Sequence, residues 1–133
     1  TNAGWAYNNF PYMGDNFLPP ILSNENVYTV SKLFNDIGFI QFFHRLLATL
    51  TLIYVLITFF HLYKSKLKVI YFLVSLVAII AISQYLLGII MLKLFVPIHL
   101  GLSHQLGSLI LLSSLIITKC EIIKKRAINR PSL

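Results

Sequence analysis

Acidic residues are scarce in this chain: four Asp and Glu among 133 residues, against eleven Lys and Arg, with charged residues only 11% in all. A soluble domain is about a quarter charged and about half apolar, whereas here 57% of residues are hydrophobic and the mean hydropathy is +0.78. A water-soluble globule is thereby excluded, and the length fits one domain. Cysteine is nearly missing too. The lone Cys120 excludes an internal disulfide and has no soft ligand beside it to make a metal site. The chain starts at Thr1 without an initiator Met and without the basic, apolar, small-residue order of a signal peptide. It is expected to be the tail of something longer.

Long apolar runs fill the rest. Three stretches, about Ile40 to Tyr63, Val69 to Leu92 and Pro97 to Thr118, match the roughly 20 helical residues that cross a hydrocarbon core. The connections, Lys64 to Lys68 and Lys93 to Val96 closed by Pro97, are too short for anything but antiparallel neighbours. The first and third helices should therefore be parallel. The expected class is an all-α integral membrane bundle of three transmembrane helices, with 39–133 as the membrane domain and 1–38 as an ordered outer loop. In that loop Val27, Val30, Phe34 and Ile37 recur at roughly helical spacing, which fits either a short interfacial helix or an irregular segment.

The basic residues sort by side. Three lie in Lys64 to Lys68 and five in the tail, at Lys119, Lys124, Lys125, Arg126 and Arg130. The positive-inside rule makes that loop and tail cytoplasmic and puts 1–38 outside a cell (inner) membrane. The positive charge is thus a topology signal, which removes nucleic acid as a partner and leaves membrane lipid. An outer segment of this size normally follows an earlier spanning helix.

Ionisable groups inside a bilayer are costly and mark function until a partner explains them. Counted from the outer helix ends, His44 lies about 6 Å deep and His104 about 10 Å deep. Two imidazoles at similar depth on parallel helices are arranged as axial ligands on either side of one haem; a hydrogen-bonded packing role or a proton relay is the alternative. The stripes His44, Ala48, Thr51, Val55, Thr58 and Gly101, His104, Ser108 leave room for a flat ligand, or simply let helices pack closely. Arg45 either pairs with a haem propionate or snorkels to lipid phosphate. In the middle helix Ala81, Gln84 and Gly88 share a face that is a packing seam or an edge of the pocket. His61, beside Tyr63 and Lys64, and His99, just inside Pro97, read as interfacial. Asp15, Glu25, Asp36 and Glu121 form no acid/base pair.

Four blocks, in order, carry a resemblance: Ala3-Gly4 with Tyr7 to Gly14; Ile40-Gln41-Phe42-Phe43-His44-Arg45; Gln84-Tyr85-Leu86-Leu87-Gly88-Ile89; and Val96-Pro97 followed by Leu102-Ser103-His104-Gln105. Together they resemble the C-terminal half of the haem A synthase family, membrane oxidoreductases that oxidise the C8 methyl of haem O to the formyl of haem A. The resemblance implies part of an eight-helix protein built from two four-helix halves. It implies haem B as cofactor, with His44 and His104 as the iron ligands of this half. The substrate haem O and its acidic residue would lie in the N-terminal half, supplied by a separate chain unless this chain is a remnant; a homo-oligomer is the other way to cover the bundle. The outer loop lacks the cysteine pair of some bacterial members. Against this stand a cytochrome b type electron-transfer anchor and a haem-free assembly or transport subunit.

Overall fold

The computed structural model describes residues 6–22, 30–62 and 68–128. Among them the chain forms a 3-10 turn at Pro20–Leu22 and four helices: α1 at Val30–Asn35, α2 at Ile37–Leu62, α3 at Lys68–Lys93 and α4 at Ile98–Ile128. Three are long and apolar enough to cross a membrane, Ile37–Leu62, Lys68–Lys93 and Ile98–Lys125, so the chain is a multi-pass membrane protein of all-α class. Val27, Ala3-Gly4, Arg130 and the Lys64 to Leu67 connection lie outside the described residues.

Of the segment expected at the interface, the described part is helical but short, Val30–Asn35. α1 ends where Asp36 takes over: its N–H bonds the Lys32 carbonyl at 3.1 Å, while its own carbonyl accepts from Ile40 at 3.0 Å. Its carboxylate accepts the Phe39 N–H at 2.6 Å, an N-cap that satisfies an orphan donor at the start of α2. Ile37, read with the interfacial segment, is instead the first residue of α2.

α3 packs against both α2 and α4. The tight core is Val55, Val77, Ala78 and Ala81, with Leu52, Phe59, Leu111 and Leu115 against it. The alanines let the helices approach closely where no water exists to drive them together. Outward-facing side chains are apolar, as at Tyr54 and Phe60, about 70% exposed, a surface suited to lipid. Hydroxyls within the spans are satisfied locally: Thr49, Thr58, Ser75, Ser108, Ser113 and Thr118 each donate to the carbonyl four residues earlier, at 2.7–2.8 Å. That is how a hydroxyl is carried at low cost in a bilayer.

α4 runs ten residues past the expected end at Thr118. Lys119 to Ile128 contains no Gly or Pro, so polarity rises without anything to break the helix. At the other end α3 stops in a Schellman motif. The Phe95 N–H bonds the Leu92 carbonyl at 3.2 Å and the Val96 N–H bonds Met91 at 2.9 Å, with Phe95 (φ 60°) and Val96 (φ 55°) both left-handed. Glycine normally takes that first position.

Candidate functional site

Beside the core, toward the α3–α4 turn, the helices enclose a cavity of about 310 Å³. α2 contributes His44, Ala48 and Thr51, α3 contributes Ala81, Gln84 and Gly88, and α4 contributes His104 and Ser108. On each helix these residues recur three or four apart, one face per helix. The stripe on α2 divides at Thr51, because Val55 belongs to the core.

The cavity brings His44 and His104 together, their ring centroids 6.4 Å apart and their planes at 75°. They are 60 positions apart in sequence and meet because α2 and α4 flank α3 in the same direction. The Nδ1 of His104 is buried with no hydrogen-bond partner, and a Cβ added to Gly88 would lie 3.4 Å from its Cε1. A Cβ there would just touch the ring, so a small residue at this point, glycine or alanine, leaves the imidazole its place. Gln84 is similarly accommodated: a Cβ on Gly107 would collide with its amide, and its Oε1 is buried without a donor. His61 and His99 are exposed and line no part of this cavity.

Arg45 also reaches the cavity, but its guanidinium is engaged with the N-terminal loop. Nη1 donates to the carbonyls of Asn9 and Tyr12, both at 3.1 Å, and Nη2 donates to that of Tyr7 at 2.8 Å. Gln41, buried one turn earlier, donates to the same Tyr7 carbonyl at 3.0 Å. Gly38 admits the Tyr7 ring, which a Cβ would approach to 2.8 Å. The loop is thereby drawn over the cavity, and Phe10 becomes one of its walls, stacked edge-on against Tyr85 at 6.3 Å. The Tyr85 hydroxyl bonds the Thr49 hydroxyl at 3.0 Å. As lining residues Phe10 and Tyr85 stand out little in the sequence. Aromatic and apolar types are ordinary in a bilayer, and only Tyr85, a polar tip on a spanning helix, carries any signal.

Chemically the cavity offers two imidazoles, the Arg45 guanidinium at its edge, the Gln84 amide, the hydroxyls of Thr51, Ser108 and Tyr85, otherwise apolar walls, and no carboxylate. Among the described residues no group of three or more His, Cys, Asp or Glu could hold a metal ion. Two nitrogen donors are fewer than a bare ion needs, whereas a haem iron can take two from its protein.

The sequence matches the family model described as "Cytochrome oxidase assembly protein", COX15-CtaA, over residues 1–116. A protein named Heme A synthase from Rickettsia felis is 39% identical over 115 residues, covering 86% of this chain and 34% of that protein. The Heme A synthase of a Wolbachia species from Brugia malayi is 36% identical, covering 93% of this chain and 35% of its own length. Heme A synthase COX15 of Mus musculus is 36% identical, covering 84% and 27%. The chain therefore spans about a third of the relatives that it matches. No solved structure matches it. With His44, Arg45, Gln84 and His104 all inside the matched region, the chain belongs to the COX15-CtaA family of cytochrome oxidase assembly proteins.

Proposed function

We propose that this chain is a haem-binding part of a haem A synthase, in which His44 and His104 are the axial ligands of one haem B. The observation that carries this reading is the separation of the two rings. A metal–imidazole bond of about 2.0 Å, continued by about 1.1 Å to the ring centre, puts two imidazole centroids across one metal about 6.2 Å apart; these lie 6.4 Å apart. The unpartnered Nδ1 of His104 and the gap kept by Gly88 agree with a site shaped around a group the protein alone does not supply. Haem B bound there would supply one-electron transfer.

The chain's own residues do the rest. His44 and His104 would hold the iron from α2 and α4, while α3 forms the wall between them with Gly88 and Ala81. Arg45 and Gln41 fix the outer loop, so that Phe10 and Tyr85 close one end of the cavity against water. Conversion of haem O to haem A also needs an acid or base within reach of the oxidised carbon, and no carboxylate lines this cavity. That step is assigned to the remainder of the synthase. In this reading the outer loop faces the outside of the inner membrane, and the lysine-rich connection and the end of α4 face the cytoplasm.

A reduced-minus-oxidised spectrum of the purified chain tests this. A low-spin haem signal is expected in the wild type, in His61→Ala and in His99→Ala, and its loss or conversion is expected in His44→Ala and His104→Ala. An unchanged low-spin spectrum in both ligand variants would overturn the assignment.

A further inference from the structure

A second cavity, of about 420 Å³, lies between the outer loop and the end of α3. Its walls are Asn8, Asn9, Tyr12 and Gly14 from the loop and Lys93 and Phe95 from the end of α3 and its turn, with Phe10 shared with the histidine cavity. The two spaces also adjoin along α3, where Leu92 lines the first and Lys93 the second. They differ in chemistry. The first is mostly apolar around its two imidazoles, and the cation on its wall, Arg45, is taken up by the loop; the second has an ammonium, two amides and a phenol beside Phe10 and Phe95, and no carboxylate lines it. The Asn8 Oδ1 is buried without a partner, the mark of an incomplete polar site, and turning that amide over presents its NH2 instead. Arg45, the other cation that reaches either cavity, has three bonds to loop carbonyls.

We infer that this second cavity receives a propionate carboxylate of the haem, with Lys93 as its cationic partner and the Asn8 and Asn9 amides and Tyr12 hydroxyl as neutral ones. This rests on the haem reading above. A haem is an apolar plate with two carboxylates on one edge, and the paired cavities repeat that division on either side of Phe10. The α3 terminus adds nothing to attract an anion, since a helix C-terminus carries partial negative charge. The Lys93 ammonium therefore serves two ends, the helix carbonyls and the incoming carboxylate. A lipid phosphate would be held by the same donors, so the test must separate the two sources.

The purified chain in lipid nanodiscs is titrated with haem and with haem dimethyl ester, which lacks the carboxylate charges, and the low-spin spectrum reports binding. Lys93→Gln is expected to weaken haem binding about fivefold, the upper range for an exposed ion pair, and to leave the dimethyl ester unchanged. Lys93→Arg is expected to restore the preference for the free acid. Equal weakening for both porphyrins would mean that Lys93 serves lipid or the fold, and would overturn the inference. An unchanged preference for the free acid in Lys93→Gln would overturn it too, and return the role to Arg45. No low-spin spectrum from the wild-type chain would instead bring down the haem reading, and this inference with it.

Discussion

At the scale of single residues, the His104 imidazole stands in contact with a glycine. A Cβ at Gly88 would touch its Cε1 at 3.4 Å, which is van der Waals distance, so Gly88→Ala should be accepted and should stabilise α3 slightly through helix propensity. The two further methyls of Gly88→Val have no room without moving the ring. We expect Gly88→Val to lose the low-spin haem signal as His104→Ala does, and Gly88→Ala to keep it, both read from difference spectra of matched preparations. A wild-type spectrum from Gly88→Val would place the ring away from this contact. The histidine pair was legible in the sequence because depth on a helix is a count of residues, and parallel helices make two counts comparable. The destination of Arg45 was not. Its partners are the carbonyls of Tyr7, Asn9 and Tyr12, and backbone oxygens leave no trace in residue identity.

At the scale of elements, the turn between α3 and α4 holds Phe95 and Val96 in the left-handed region, where each side chain costs about 1–2 kcal/mol relative to a right-handed conformation. Phe95 is 65% exposed, so its ring buries little to offset that. Phe95→Gly is expected to raise the thermal midpoint of the chain in detergent, by the equivalent of about 1 kcal/mol. A fall in the midpoint would show that the ring holds the turn through contacts stronger than the backbone cost. The sequence announced the three spans well, because run length and hydropathy are properties of the segment itself. It announced the end of α4 poorly. A polar residue marks where lipid should stop, but a helix stops only where a breaker or a cap interrupts its hydrogen bonds, and Lys119 to Ile128 contains neither Gly nor Pro.

At the scale of the whole molecule, α2 and α4 flank α3 and leave the cavity between them open on the side away from it. Three helices cannot surround a plate held between two of them. The isolated chain is therefore expected to retain haem weakly and to form no haem A from haem O, whereas co-expression with a complementary N-terminal half should restore retention and turnover together. Haem A formation by this chain alone, in a host lacking any other synthase, would overturn that expectation. The loop over the cavity has its own consequence. Because Arg45 grips three main-chain oxygens within the six residues from Tyr7 to Tyr12, it registers the path of the strap and is indifferent to the side chains at positions 9 and 12. For that grip, variation in spelling is harmless and variation in length is not: one residue inserted or deleted between the first and last carbonyl puts the oxygens out of step with a rigid guanidinium fork. To Arg45 the strap is a measured tether, fixed in span, and any constraint on its lettering comes from the cavities that Asn8, Asn9, Phe10 and Tyr12 line.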